Sequence, residues 1–245
     1  MIKKLSIIIP VYNEIKFFEK SLEAIVNLKI INDIKKEIII IDDCSSDGTK
    51  EKINLLKIEE NIEVKKIFHS YNQGKGAAIQ SGIKEMTGDY MIVRDADLEY
   101  SAEDINAMIN EVIINNADVV YGSRFLTTKS HRILFFWHMI GNKFLTVLSN
   151  MFNGLNFTDM ETCYKLINKK ILDKINLKEK RFGFEPEITA KIAHLHKKEN
   201  LRIFEIGISY NGRTYKDGKK INWKDGFVAI KCILFYGIFN DIKKN

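Results

Sequence analysis

A chain of 245 residues with 45% hydrophobic and 29% charged residues can build a sizeable core, and its composition excludes disordered and collagen-like classes. The net charge of +6 suits phosphorylated small molecules or an anionic membrane surface, while scattered lysines without a basic arm argue against nucleic acid. Cys44, Cys163 and Cys232 are odd in number and far apart, which argues against a disulfide framework or zinc site and fits a reducing cytoplasm.

The opening "MIKKLSIIIPVYNE" has an apolar stretch too short for a signal peptide, and no run reaches the ~18 apolar residues of a spanning helix. Residues 5–11 read as a buried β-branched strand, 14–28 as an amphipathic helix with Phe18, Leu22, Ile25 and Val26 on one stripe, and 37–43 as a second strand. Residues 45–58 read as a turn entering a helix, 62–69 as a strand, 72–88 as a glycine-bearing loop and helix, and 89–95 as a strand. A helix at 101–115 and a strand at 117–125 follow. Beyond these, 132–153 shows an apolar helical pattern through Trp137, Ile140, Phe144, Leu148 and Met151, for which core packing outweighs a lipid-facing role. Residues 157–167 read as a strand crossing near the site, 184–198 as a helix with Pro186 early, 201–210 as a strand, and 223–239 as a helix apolar almost all round. Strands alternating with helices predict an α/β, Rossmann-like and mostly parallel sheet with helices on both faces, its ligands beyond the carboxyl ends of the strands.

"RDADLEY" closes the strand at 89–95. Asp95, Asp97 and Glu99 alternate, so an extended chain places all three on one side. Clustered carboxylates repel and resist burial, so a cation or water must meet them. Asp95-Ala96-Asp97 is a hard oxygen-rich pair suited to Mg²⁺ or Mn²⁺; the plain alternative is an exposed loop preceding the helix at Ser101. Asp42 and Asp43 equally suit a capped turn, and "NQGKG" lacks the spacing of a P-loop. His69, His131, His138, His194 and His196 have no catalytic pairing and read as surface or core residues.

"SIIIPVYNE", "IIDDCSSDGT", "NQGKGAAIQSG", "RDADLEY" and "VVYGSRF", in this order, resemble the inverting GT-A nucleotide-sugar glycosyltransferases (family 2), among them the dolichyl- and polyprenyl-phosphate glucosyl- and mannosyltransferases. "TDMETCYKL" and "GRTYKDGKKINWKDG" extend the resemblance to about residue 226. It implies one GT-A domain: a nucleotide-sugar half at 1–125 and an acceptor half at 126–222. The apolar tail at 223–245 could pack on its own domain, pair with another subunit, or lie interfacially at a membrane's headgroup boundary with its lysines reaching anionic lipid. The resemblance implies that Pro10, Tyr12, Glu14, Asp43, Lys75, Asp95, Ala96, Asp97, Arg213 and Lys219 bind the donor, and that Asp95, Asp97 and Arg213 are catalytic. By the same resemblance Asp95, Asp97 and Glu99 hold Mg²⁺ or Mn²⁺, and Arg124 and Arg132 bind an acceptor phosphate.

The implied reaction moves a hexose from a nucleotide-diphosphate sugar, UDP-linked in preference to GDP-mannose, to polyprenyl phosphate on the cytoplasmic face of a membrane, with the enzyme peripheral to it. A hydroxyl acceptor is the alternative, with Asp159 or Glu161 as general base. A nucleotidyltransferase is disfavoured because "PVYNE" is not its glycine-rich basic loop, and a non-catalytic nucleotide-binding protein is disfavoured by the acidic triplet and basic clamp.

Overall fold

The computed structural model describes residues 2–58, 62–126, 132, 136–213 and 223–239. In chain order the elements are β1 (Lys4–Val11), α1 (Phe18–Asn27), β2 (Lys35–Asp42), α2 (Thr49–Leu55), β3 (Glu63–Phe68), α3 (Lys75–Glu85), β4 (Tyr90–Val93), α4 (Asp104–Asn115) and β5 (Val119–Ser123). Then come α5 (Phe136–Asn153), β6 (Lys165–Asn168), α6 (Lys169–Lys174), α7 (Phe184–Glu199), β7 (Ile203–Gly207) and α8 (Trp223–Ile238).

The seven strands form one sheet in the order β3-β2-β1-β4-β6-β5-β7. All neighbours are parallel except β6, which runs antiparallel to both β4 and β5. The apolar runs of β1, β2 and β4 are buried throughout their centres, as expected of strands covered on both faces. Close contact of α3 with this sheet depends on Gly82: a Cβ there would lie 2.6 Å from Ile8 Cγ2 and 3.1 Å from Ile41 Cδ1. Each parallel crossover returns the chain to the same edge of the sheet, so the loops after β1, β2, β3 and β4 gather at one end.

The strand expected across 157–167 is shorter: pairing begins only at Lys165, and Phe157–Tyr164 is a loop. The loop is held from below by α5. Thr146 accepts a hydrogen bond from the Met160 N–H, and Asn150 both donates to the Phe157 carbonyl and accepts from the Phe157 N–H.

This reverses the expected orientation of α5. Thr146, Ser149 and Asn153 are its buried residues, whereas Phe136, Trp137, Phe144, Val147 and Met151 are exposed, Trp137 by 78%. The core-packing reading of Trp137 and Phe144 is therefore corrected. Thr146 and Asn150 turn towards the loop because its backbone needs partners, and an unpaired buried amide is costly, while Asn153 donates to Ser149 Oγ one turn back. Helix α8 packs on α5 and α7. It buries Ala229, Cys232, Ile233 and Tyr236, a 3–4 residue stripe, and exposes Phe227, Leu234, Phe235 and Ile238. Among the described residues no helix is long and apolar enough to cross a membrane.

Candidate active site

The loops at the carboxyl end of the sheet are interlocked. After β1, Asn13 turns with φ of 52°. Its N–H donates to Ser45 Oγ, and its Oδ1 accepts from the Ser46 N–H. The Glu14 and Ile15 N–H groups donate to Thr49 Oγ1 and Asp47 Oδ2. Pro10 is half-buried near the end of β1, Val11 after it is buried, and Tyr12 is exposed at the mouth of this turn.

Asp43 is 3% exposed and its carboxylate shapes the next loop. Oδ1 accepts from the Gln73 N–H at 2.8 Å and lies 2.7 Å from His69 Nδ1, while Oδ2 accepts from the Gly74 N–H at 2.7 Å. Gly74 has φ of +99°, and a Cβ there would come within 2.5 Å of the Lys180 carbonyl, so only glycine fits this turn. Both Asp43 oxygens thus have protein partners where the sequence led us to expect a base contact.

The three carboxylates of "DADLE" find two cations. Lys75, at the start of α3, places Nζ 2.9 Å from Asp95 Oδ1, 3.4 Å from Glu185 Oε1 and 2.7 Å from Cys163 Sγ. Arg213 places its guanidinium 2.8 Å from Asp97 Oδ2 and 3.0 Å from Glu14 Oε2, over the ring of Phe17. Glu99 turns onto the same segment: it accepts from the Arg213 N–H at 2.7 Å and the Tyr210 hydroxyl at 3.2 Å. Ala96, between the aspartates, is buried.

Burial alone would lower the Lys75 pKa, yet Asp95, then Cys163 and Glu185, raise it well above the usual lysine value. Asp95 is held low: burial opposes its charge, but Lys75, Cys163 and Arg94 together outweigh that. Asp97 is pushed up to about 7, first by burial and then by the charges of Asp95 and Glu99. Three carboxylates, Glu14, Asp97 and Glu99, surround the single guanidinium of Arg213, so carboxylates outnumber cations there.

Among the described residues no three His, Cys, Asp or Glu side chains converge as a metal-ligating group. The expected triad of Asp95, Asp97 and Glu99 is not assembled as a three-ligand set, because Glu99 faces Tyr210 and Arg213. Asp95 and Asp97 remain a two-carboxylate set, and the surplus of carboxylates around Arg213 fits a further cation. Mg²⁺ is commonly held by one or two carboxylates with substrate phosphates completing its shell.

On the other side of the cleft, Arg124 donates through Nε and Nη2 to Asp159 at 2.6 and 2.7 Å and lies over the Tyr210 ring. Its fork is thus engaged by a carboxylate where an acceptor phosphate was expected. Asp159 is fully buried and also accepts from the Arg124 N–H, so it is no longer a candidate general base. Glu161 differs: its Oε1 is buried without a hydrogen-bond partner, and its pKa is pushed up to about 8 by burial and then by Glu185. Arg132 donates to the Gly212 carbonyl, joining the 210–213 segment. Lys219 lies outside the described residues.

Sequence reading missed Cys163 and Glu185 beside Lys75, and Tyr210 beside Glu99. "FEPE" carried a faint signal, since two carboxylates entering a helix near its buried start need partners. His69 serves the Asp43 loop, and its Nε2 lies 2.9 Å from Ser81 Oγ.

The profile of glycosyl transferase family 2 matches residues 6–175. A dolichol-phosphate mannosyltransferase of Pyrococcus furiosus is 37% identical over 123 residues, 50% of this chain and 34% of that protein, so the match spans about a third of that relative. A UDP-N-acetylglucosamine–dolichyl-phosphate N-acetylglucosaminyltransferase of Methanococcus voltae is 28% identical over 241 residues, 92% of each chain. Glucosyl-3-phosphoglycerate synthase from Mycobacterium tuberculosis, crystallised with Mn²⁺, UDP and phosphoglyceric acid, superimposes with a TM-score of 0.67 at 13% identity, covering 98% of this chain and 80% of that one. That last likeness concerns the fold alone.

Proposed function

The chain belongs to glycosyl transferase family 2, and from that premise we propose that it transfers a hexose, with inversion, from a nucleotide-diphosphate sugar to a polyprenyl phosphate. A UDP-sugar is favoured over GDP-mannose. The observation that carries this reading is the pairing of Asp95 with Lys75 and of Asp97 with Arg213, two carboxylates and two cations at the end of β4. Such a set matches the charge of a diphosphate and of a metal bound to it. The similarity to the Methanococcus voltae enzyme over 92% of each chain supports a lipid-phosphate acceptor.

In this reading residues 1–125 hold the donor. Pro10, Tyr12, Glu14 and Asp43 border the nucleotide, Lys75 and Arg213 meet its phosphates with Lys219, and Ala96 lets the backbone between the aspartates pack tightly. Asp95 and Asp97 would hold Mg²⁺ or Mn²⁺, which when bound neutralises the leaving diphosphate. An acceptor phosphate oxygen forms the new bond to the anomeric carbon as the bond to the donor diphosphate breaks. That oxygen is already anionic, so no general base is needed. Arg213 stabilises the departing charge, and Arg124 and Arg132 line the acceptor side in residues 126–222, where Arg124 would exchange part of its Asp159 contact for the phosphate.

The outward apolar faces of α5 and α8 support a peripheral position on a membrane surface, on the cytoplasmic face, with α8 at the headgroup boundary; residues 240–245 of the expected interfacial tail lie outside the described residues. Glu161 supports a second reading, a hydroxyl acceptor: with its pKa near 8 it is mostly protonated at neutral pH, and its ionised fraction is a stronger base than an ordinary carboxylate.

The test is a screen of radiolabelled nucleotide sugars with a short polyprenyl phosphate, scored for lipid-extractable product. Nucleotide diphosphate release that depends on the lipid phosphate is expected. No release with any donor overturns the assignment, and release only with a hydroxyl acceptor moves it to the second reading.

A further inference from the structure

Tyr210 follows β7 and stands where the two sides of the cleft meet. Its backbone forms an isolated antiparallel bridge with Tyr100, and the Asn211 N–H donates to the Glu99 carbonyl at 2.8 Å. Arg132 fixes the segment from the acceptor side: its N–H donates to the Tyr210 carbonyl and its Nη1 to the Gly212 carbonyl. Arg213 comes next in the same segment and reaches Asp97 and Glu14.

The Tyr210 side chain has two ends with different partners. The guanidinium carbon of Arg124 lies 5.3 Å from the centre of its ring, a cation–π distance. The hydroxyl donates to Glu99 Oε2 at 3.2 Å. The other oxygen of that carboxylate accepts from the Arg213 N–H at 2.7 Å. The hydroxyl also feels the Arg124 charge, less strongly than that of Glu99. One path of contacts therefore runs from Asp159 through Arg124, Tyr210, Glu99 and Arg213 to Asp97.

Asp159 and Asp97 hold the two guanidinium groups by their charge, so an arriving phosphate competes with them for the same N–H donors. The contacts made through Tyr210 do not compete. A ring face holds the plane of Arg124 without using its donors, and Glu99 bonds the backbone N–H of Arg213, which leaves the guanidinium to turn towards a diphosphate.

We infer that Tyr210 is a positioning residue for both phosphates of the reaction. Its ring orients Arg124 for the acceptor, and its hydroxyl, through Glu99, fixes the backbone of Arg213 for the donor. The inference rests on the function proposed above and adds to it a residue that touches neither substrate.

The test compares the full chain with Tyr210→Phe, which keeps the ring, and Tyr210→Leu, which keeps neither end. Binding of UDP and of GDP with Mg²⁺ is titrated calorimetrically, and the acceptor KM is read on a short polyprenyl phosphate at saturating donor. Tyr210→Phe should weaken binding of the nucleoside diphosphate about 3–10-fold, less than a whole hydrogen bond to a charge because Glu99 keeps the Arg213 N–H, and should hold the acceptor KM within about twofold. Tyr210→Leu should weaken diphosphate binding alike and also raise the acceptor KM about 3–10-fold, the scale of a partly desolvated cation–π contact. A merely structural role would lower the Tm of Tyr210→Leu while Tyr210→Phe bound the diphosphate as the wild type does, and that result overturns the inference. An acceptor KM that is the same in both variants also overturns it. A wild type that binds a diphosphate but turns over no polyprenyl phosphate defeats the acceptor reading and the role of the ring with it, while the titration of Tyr210→Phe still decides the role of the hydroxyl. No binding of either diphosphate defeats the proposed function and this inference together.

Discussion

The guanidinium of Arg213 stands 2.8 Å from the carboxylate of Asp97, a residue 116 positions earlier in the chain. The contact joins the strand-end acids to a segment that arrives only after β7. It occupies Asp97 with a positive charge where a donor's metal would act. Asp97→Asn should keep the fold and lower turnover by at least ~100-fold, the usual scale for losing electrostatic stabilisation of a leaving group. Steady-state kinetics with and without EDTA check this. Full activity of the variant, or of the wild type in excess EDTA, removes the metal role.

Lys75 balances Asp95 and Glu185 together while its side chain is 24% exposed. Lys75→Met should destabilise the protein by about 3 kcal/mol, at the low end for removing one partner of a buried pair because some water contact remains. Urea denaturation measures it. Adding Asp95→Asn should restore part of the loss; a double variant no more stable than the single would show that the charge pairing is not the cause.

Glu161 provides a pH test. Its pKa rises from 4.5 to about 8 in the folded chain. Between these values the folded state binds a proton that the unfolded state has released, so stability contributed below pH 4.5 is lost as pH climbs to about 8. Glu161→Gln should therefore flatten the decline in Tm between pH 5 and 8. An unchanged slope would assign the decline to other groups.

Glu37 should act with the opposite sign. Burial opposes its charge, but hydrogen bonds from Ser6, Thr87 and Lys65 outweigh this and lower its pKa to about 2. Its contribution is present above pH 4.5 and is lost as pH falls towards 2. Acid titration of Glu37→Gln, followed by circular dichroism, should show a less steep loss between pH 4.5 and 2 than the wild type shows.

Trp137 and Phe144 are exposed on α5, so replacing both with Ser should change stability by less than about 0.5 kcal/mol for each residue. It should reduce sedimentation with anionic liposomes at low salt several-fold. Undiminished sedimentation would move the contact to α8 or end the membrane reading.

Local patterns in the sequence determined the alternating strands and helices, because side-chain period follows backbone geometry over a few residues. They also determined that three acids in five residues, Asp95, Asp97 and Glu99, would require cations or water, although residues 96–99 bend where an extended chain was expected. Tertiary structure alone decided which cations answered. Lys75 and Arg213 reach those acids only when α3 and the segment after β7 close over the end of the sheet, and no local period specifies a contact across 116 residues. Tertiary structure likewise decided that Arg124 meets Asp159, and that α5 turns Trp137 outward. The apolar stripe of α5 was legible, but the direction it faces depends on the hydrogen-bond needs of the loop at 157–164, and those arise only once β6 takes its antiparallel place in the sheet.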